Sequence, residues 1–286
     1  MQSLLSSNKP LTKILIRTQQ EIFSSKTGEN TTKSQGSGYD FVHLKEYESG
    51  ENVKYIDWMI SSKYNKPYVK VFQEQKEIHM LIVPLLCASV HFGVKILKQD
   101  IIAEICALLS FACIKQNDSF SSYISNDETF LCTQKSKSIF DVKELVQKTF
   151  EYKTLHKGMN YQTLSRVLYM HEREKSLLFL VGDFFHTDSF DVHALASKHE
   201  LICIIVRDKF EEEPDSLGKL HLTDPYSGNS SFVELNTKAS AKIKQEVLRA
   251  DTIFFEKLRR VGVRFIKIYT DENPASKIMT LMSHLS

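Results

Sequence analysis

The hydrophobic pattern from residue 79 onward alternates between short, largely apolar runs and longer stretches with helical spacing. The apolar runs lie at 79–86, 175–181, 201–206 and 263–269. Runs of this kind are typical of strands that a parallel sheet buries on both faces. Helical spacing occupies the intervals, at 100–116, 138–150, 161–171, 190–198, 238–261 and 274–285. The alternation predicts an α/β fold, a doubly wound and mostly parallel sheet with helices on both faces.

Smaller features complete the prediction for this part of the chain. Further strands, the last two of them joined as a hairpin, are predicted at 120–124, 129–132, 219–222 and 231–235. The acidic triplet Glu211–Glu213 is expected to be a solvated turn. Asp188 is expected to be the N-cap or a first-turn residue of the helix that follows it.

The first 77 residues have a different character. A helix is predicted over 11–23, followed by a polar, Gly/Ser-rich stretch at 24–38 that we expect to be a flexible linker. Residues 39–77 are rich in aromatic and charged side chains and are predicted to form short strands, with turns at Ser49–Gly50 and Asn65–Pro67. We therefore divide the chain into an N-terminal helix and linker (1–35), a β-rich module (36–77) and an α/β domain (78–286).

Composition narrows the class of protein. The chain has 37 basic and 35 acidic residues, and this balance argues against a nucleic-acid partner. Its five cysteines show no CxxC spacing, which predicts neither a disulfide framework nor a zinc site. Apolar stretches are too short for a membrane span, and the first residues lack the apolar core of a signal peptide. We expect a cytoplasmic protein that reaches a membrane only through a partner.

Catalytic motifs are weak in this sequence. Cys87 and His91 have the residue types of a thiol nucleophile and its base, but no third residue is placed to orient them, so a buried structural cysteine is favoured. The chain has no Walker lysine motif, and its ten histidines show no paired metal-ligand spacing. We therefore expect no catalytic residues, no cofactor and no enzyme activity.

A cluster of aromatic and basic residues between 47 and 70 is the main candidate for binding. Trp58 is the only tryptophan, and tryptophan concentrates binding energy at interfaces, although it can equally anchor a small module. Lysines interleave with tyrosines here; such mixtures occur at nucleic-acid sites, but a solvated strand face is favoured. The candidate interaction residues are Tyr47, Asp57, Trp58, Lys63 and Lys70.

Residues 36–77, GSGYDFVHLKEYESGENVKYIDWMISSKYNKPYVKVFQEQKE, resemble the hallmark of domain-of-unknown-function family fifty-eight. The matching positions are Gly36, Gly38, Phe41, Leu44, Glu46, Tyr47, Gly50, Val53, Ile56, Asp57, Trp58, Ser62, Lys63, Tyr68, Val69, Lys70, Phe72 and Glu74. Residues 206–237 and 260–271 resemble the family's edge hairpin and last strand. The resemblance implies a bacterial protein with a von Willebrand factor A-like second half, and implies as partners a MoxR-type AAA+ ATPase and other von Willebrand A-containing proteins.

The resemblance also implies a place to look for a cation. The von Willebrand A fold usually binds a divalent ion with an Asp-x-Ser-x-Ser loop, a Thr and a later Asp. Here Leu85, Cys87 and Met159 stand at three of those positions, and only Ser89 and Asp183 keep suitable oxygen atoms. One hydroxyl and one carboxylate compensate too little of the hydration of Mg²⁺. We expect a degenerate site that binds no metal tightly, with Ser89 and Asp183 as the first ligands to check.

Together these observations predict a non-enzymatic interaction protein. By resemblance it would be an adaptor or partner of a MoxR-type AAA+ ATPase in the assembly or maturation of protein complexes. The alternative is a divalent-cation-dependent ligand-binding module that uses the degenerate site.

Overall fold

The computed structural model describes residues 9–24, 39–74 and 77–283. Nearly all of the linker predicted at 24–38 lies outside these residues. The chain divides into two compact units, a larger one of residues 1–25 with 78–286 and a smaller one of residues 26–77.

The strands form three sheets within the described residues. They are β1 (Tyr39–Glu46), β2 (Tyr68–Glu74), β3 (His79–Pro84), β4 (Ser119–Ser125), β5 (Thr129–Ser136), β6 (Leu177–Gly182), β7 (Glu200–Arg207), β8 (Gly218–Thr223), β9 (Ser230–Leu235) and β10 (Arg264–Tyr269). The central sheet has the order β10-β7-β6-β3-β4-β5, and β5 is its antiparallel edge strand. The β8–β9 hairpin forms a separate ribbon in the larger unit, and β1 pairs with β2 in the smaller one.

The helices are α1 (Lys9–Ser24), α2 (Trp58–Tyr64), α3 (Lys98–Lys115), α4 (Ile139–Glu151), α5 (Tyr161–His171), α6 (Val192–Ala196), α7 (Lys209–Glu212), α8 (Thr237–Arg260) and α9 (Pro274–Ser283). Side chains of α1, α3, α4 and α9 join the core on one face of the central sheet. Side chains of α5, α6 and α8 join the core on the other face.

The central strands are apolar along their whole length because both faces are covered. In β3, Met80 and Ile82 pack into one layer, and Leu81 and Val83 into the other, with at most 1% of any of these residues exposed. The period-2 alternation of side chains across a strand therefore distributes one apolar run between two cores.

Chain connections reverse direction at the carboxyl ends of the central strands, a position that we call the crevice. From β3 the chain passes through α3 to β4 on one side, whereas β6, on the other side of β3, leads through α6 to β7. This reversal makes the carboxyl ends of β3 and β6 a topological switch point, where ligands bind in open α/β sheets.

The tip of the β8–β9 hairpin reaches the loop that follows α4. The backbone N–H of His156 donates to the carbonyl of Pro225 at 3.0 Å, and its Nδ1 lies 2.8 Å from the carbonyl oxygen of Tyr226. On the other side of this loop, Asp127 accepts a hydrogen bond from the N–H of Gly158 at 2.8 Å. The hairpin therefore connects the edge near β7 with the loop before α5.

Three sequence predictions were wrong in detail. Residues 58–64 form the helix α2 instead of a strand: Asp57 caps its first turn, and Asn65 ends it in a left-handed conformation. The acidic triplet Glu211–Glu213 is not a solvated turn, since Glu211 lies in α7 and pairs with a buried lysine. Asp191, and not Asp188, is the N-cap of α6.

Candidate functional site

The crevice begins at the segment that follows β3. The N–H of Leu85 donates to the carbonyl of Val181 at 2.8 Å, so this segment continues along the end of β6. The side chain of Leu85 is buried against Gly182, where an added Cβ would lie 2.7 Å from the Cβ of Leu85. An apolar side chain therefore fills the position at which the resemblance calls for a carboxylate.

The Lys98 ammonium occupies the centre of the crevice. Lys98 is the first residue of α3, and none of its surface is exposed. Its Nζ lies 2.9 Å from Asp183 Oδ2 and 2.7 Å from Glu211 Oε1. The rings of Phe185 and Phe92 lie on other sides of the ammonium, with centroids at 5.0 and 5.9 Å. Two carboxylates and two aromatic faces thus replace water around the charge.

Ser89 lies near Asp183. Its hydroxyl helps to lower the pKa of the Asp183 carboxyl, and the Sγ of Cys87 lies 3.1 Å from the same hydroxyl oxygen. Burial, and then the neighbouring Asp183, raise the pKa of the Cys87 thiol to about 12. Cys87 is buried whereas His91 is exposed. At neutral pH this cysteine is a protonated thiol, which is a poor nucleophile.

The two carboxylates differ in their electrostatics. Burial alone would raise the pKa of Asp183, but the Lys98 ammonium and the Ser89 hydroxyl hold it below its usual value. The pKa of Glu211 is raised by burial, and Lys98 only partly offsets this effect. Asp183 is therefore the carboxylate that stays charged most firmly beside the lysine.

A second cationic side chain lies behind Asp183. Arg207, buried at the end of β7, donates from Nε to the carbonyl oxygen of Asp183 at 2.6 Å and from Nη2 to Asp251 Oδ1 at 3.0 Å. Its guanidinium stacks on Phe185 at 3.6 Å from the ring centroid. Lys267 also pairs with Asp251, at 2.8 Å. Buried charges at this edge of the sheet are therefore compensated by opposite charges or aromatic rings.

The side chains of the crevice do not suit a divalent cation. Leu85 and Met159 offer no oxygen, Cys87 offers a protonated sulfur, and the carboxylate of Asp183 already binds an ammonium. Hard cations such as Mg²⁺ require several oxygen ligands. Across the described ranges, no group of three or more His, Cys, Asp or Glu residues is placed to hold a metal ion.

A groove of about 940 Å³ lies beside the crevice, at the ends of β7 and β10. It is lined by acidic, basic and aromatic side chains, among them Glu212, Lys209 and Tyr269. Neither Lys98 nor Asp183 lines it. The groove is thus a feature of mixed charge that is separate from the Lys98–Asp183 pair.

The five candidate interaction residues lie in the smaller unit. Asp57 is the N-cap of α2: it accepts hydrogen bonds from the N–H groups of Met59 and Ile60, each at 3.1 Å, and pairs with Lys70 at 3.1 Å. Tyr47 is half-buried and donates its N–H to a carbonyl of the turn before β2. These contacts indicate that part of the predicted set shapes the module.

Trp58 and Lys63 are different because they are exposed. Trp58 and its neighbour Met59 open α2 and are 70% and 78% exposed. The Lys63 ammonium lies over the ring of Tyr64, which is also exposed. Val53 and Tyr55 precede them in a 3-10 turn and are exposed too. We refer to residues 53–64 as the exposed segment.

Sequence reasoning missed Lys98, Glu211 and Arg207. Lys98 stood outside the predicted helix, and the acidic triplet gave no sign of a buried partner. A predicted helix that began at residue 98 would have given one signal: a lysine in the first turn of a helix lies at the positive end of the helix dipole, where it is disfavoured. At the start of an otherwise apolar helix, such a lysine indicates a nearby anion.

Two uncharacterized mycobacterial proteins are similar in sequence to this chain. Uncharacterized proteins Rv1480 of Mycobacterium tuberculosis and Mb1516 of Mycobacterium bovis are each 20% identical over 206 residues. These matches cover 70% of this chain and 65% of theirs, so the chain spans about 65% of the length of these relatives.

Solved structures that resemble the chain include conserved hypothetical protein BatB from Bacteroides thetaiotaomicron, at 12% identity and a TM-score of 0.43, covering 72% of this chain and 98% of BatB. An aerotolerance-related membrane protein from Bacteroides fragilis has 12% identity and a TM-score of 0.46, covering 72% and 97%. A von Willebrand factor type A protein from Catenulispora acidiphila has 10% identity and a TM-score of 0.37, covering 76% and 43%.

Both the predicted fold class and the predicted family are confirmed. The fold is mixed α/β with a mostly parallel central sheet. No helix in the described part of the chain is long and apolar enough to cross a membrane. The sequence profile of the family described as protein of unknown function DUF58 matches residues 43–252. The chain therefore belongs to the DUF58 family.

Proposed function

We propose that this protein is a non-enzymatic interaction protein that acts as an adaptor for a MoxR-type AAA+ ATPase in the assembly or maturation of protein complexes. The observation that carries the proposal is the exposed segment 53–64, which lies within the family signature. Trp58 and Met59 present large apolar surfaces to solvent at the start of α2. In the proposed role, the protein acts in the cytoplasm and meets membranes only through its partners.

The exposed segment has the properties of a binding surface. Asp57 and Asn65 fix the two ends of α2, so Trp58 is presented by a preformed helix. Presentation on a preformed element reduces the ordering cost of association. Tryptophan and tyrosine supply a large share of the binding energy at protein interfaces. The role of Asp57 in this proposal is thus to position Trp58.

The crevice of the larger unit favours a scaffold over a catalyst. Lys98 neutralises Asp183, and Cys87 is buried with a raised pKa. A nucleophile needs an adjacent base or a lowered pKa, and Cys87 has neither in this arrangement.

Binding of the purified full chain to a MoxR-type ATPase from the same organism tests the proposal. We expect the double substitution Trp58→Ser/Met59→Ser to weaken binding roughly 10- to 100-fold, because two interface anchors are removed. Unfolding free energy should change by less than about 0.5 kcal/mol, since both side chains are exposed. Isothermal titration calorimetry and urea denaturation give the two measurements.

The matched control is Tyr169→Ser/Met170→Ser, a pair of exposed aromatic and methionine neighbours on α5. This variant should bind the ATPase like the wild type. Failure of the wild-type chain to bind would refute the adaptor role. Equal loss in both variants would refute the assignment of the interface to the exposed segment.

A further inference from the structure

Lys98 lies at the point where the von Willebrand A fold would place its ion, between the segment after β3 and Asp183. We propose that Lys98 is a covalently attached cation that takes the place of the divalent ion, so that the crevice is organised without metal. The proposal concerns the chemistry of the crevice and does not depend on the adaptor role.

The contacts of Lys98 are those of an ammonium. Its Nζ approaches one oxygen each of Asp183 and Glu211, at 2.9 and 2.7 Å. These are the distances of charge-assisted hydrogen bonds, and they exceed the 2.0–2.6 Å of magnesium or calcium ligands. The aromatic faces of Phe92 and Phe185 complete the surroundings. An ammonium tolerates such faces, whereas a hard divalent cation keeps oxygen ligands.

Positive charge at the crevice comes from the protein itself. Asp183 and Glu211 bring two negative charges to the crevice. Lys98 pairs with both carboxylates. Arg207 donates a hydrogen bond to the backbone carbonyl of Asp183, and its charge helps to lower the pKa of the Asp183 carboxyl. Arg207 also pairs with Asp251, so Lys98 is the cation that serves Asp183 and Glu211 directly.

The position of Lys98 is not explained by local helix preferences. Leu97, the N-cap of α3, makes no side-chain cap hydrogen bond, and a lysine in the first helical turn is opposed by the helix dipole. Burial of its charge adds a desolvation cost. Both costs are offset by the carboxylates, which approach from the segment after β6 and from α7, and by the two aromatic faces. The lysine therefore joins three parts of the crevice, as a bound ion would.

Removal of the Lys98 ammonium should convert the space that it occupies into a metal-binding site. In Lys98→Ala, two carboxylates and the Ser89 hydroxyl are left around a vacated space, which suits a hard cation. We expect Lys98→Ala to melt below the wild type, to bind Mn²⁺ with a Kd of about 1 mM or tighter, and to gain about 3 °C in Tm at a tenfold excess over Kd. The wild type should show neither binding heat nor a Tm change with Mn²⁺ or Mg²⁺.

Two variants provide the controls. Lys98→Met removes the charge but keeps a side chain of similar length in the space, so Mn²⁺ should not raise its Tm. Lys98→Ala/Asp183→Asn keeps the space but lacks the main carboxylate, so rescue should be lost. Differential scanning fluorimetry and calorimetry of the full chain measure these effects. If Lys98→Ala does not fold alone, its refolding from urea with and without Mn²⁺ is the measurement.

Two results would overturn the proposal. One is binding of Mn²⁺ or Mg²⁺ to the wild type that disappears in Asp183→Asn, because the crevice would then hold a metal beside the lysine. The other is a Lys98→Ala variant whose Tm and refolding are both unchanged by Mn²⁺, because the lysine would then not occupy a cation-binding position. The measurements use no ATPase, so their outcome is independent of the test of the adaptor role.

Discussion

Individual buried charged side chains connect the segments at the carboxyl ends of the central strands. Lys98 and Arg207 are both buried, and each contacts Asp183, the first through the carboxylate and the second through the backbone carbonyl. Buried ion pairs contribute modestly to net stability, but removal of one partner leaves a buried charge without compensation and is strongly destabilising. Individual residues at this edge are therefore more sensitive to substitution than the surface ion pairs.

Arg207→Met tests this sensitivity. It should lower the free energy of unfolding by about 3 kcal/mol, because Asp251 and the Asp183 carbonyl lose a buried donor while Lys267 still pairs with Asp251. The control Arg264→Met breaks the exposed pair with Glu200 and should cost less than about 1 kcal/mol. Urea denaturation of both variants measures the difference, and equal losses would contradict the expectation.

Helices and strands of the larger unit are joined by a few side-chain contacts at their ends. The Gln99 amide, in the first turn of α3, donates to three carbonyls at the end of α4: those of Thr149 at 2.9 Å, Phe150 at 3.2 Å and Tyr152 at 2.7 Å. The last carbonyls of a helix have no partner within the helix. Gln99, at the start of α3, thus supplies hydrogen-bond donors to the last carbonyl groups of α4.

Gln99→Leu should destabilise the protein by about 2 kcal/mol, since buried carbonyls would be left without donors. The variant should accelerate amide hydrogen exchange at residues 149–156 more than in the earlier part of α4. The matched control is Gln147→Leu, an exposed glutamine on α4 that should change stability by less than about 0.5 kcal/mol. Unchanged exchange in Gln99→Leu would show that solvent replaces its contacts without cost.

Elements of the larger unit could be predicted closely because periodicity is local. β3, β6, β7 and β10 each coincide with an apolar run, and the hairpin was indicated by its turn residues. The helix α2 was missed because its sequence, WMISSKY, has the aromatic and branched residues of a strand, while its helical form depends on Asp57 and Asn65 at its ends.

The centre of the crevice could not be predicted in the same way. Lys98 is separated from Asp183 by 85 residues and from Glu211 by 113. The pairing arises from the order of the strands in the sheet, which no window of sequence contains. Asp183 and Ser89 were singled out through the resemblance, which implies that they stand at two of the ligand positions of the fold.

At the scale of the whole molecule, stability depends on ionisable groups buried far from the crevice. His199 is buried after α6, and neither ring nitrogen has a hydrogen-bond partner among the described residues. Burial, followed by the nearby charges of Lys198 and His79, lowers the pKa of His199 to about 4. An unfolded histidine titrates near 6.5. Between these values the unfolded state binds more protons than the folded state, so stability falls as the pH falls.

The loss from this histidine should reach at most about 3 kcal/mol between pH 6.5 and 4. His199→Leu should flatten the stability profile in this window, whereas His193→Leu, an exposed histidine on α6, should leave it unchanged. Urea denaturation at half-unit steps of pH measures both profiles. Parallel profiles of the wild type and His199→Leu would assign the acid sensitivity to other groups.

The β8–β9 ribbon is tied at its tip through the carbonyl oxygens of Pro225 and Tyr226. Backbone carbonyl groups are present whatever the side chains are. Substitutions on the outward faces of the ribbon should therefore leave the hydrogen bonds at its tip in place. Phe232 lies on such a face and is highly exposed. A cysteine introduced at position 232 could carry a fluorophore or a crosslinker, and because the ribbon is separate from the central sheet, the label should leave that sheet intact.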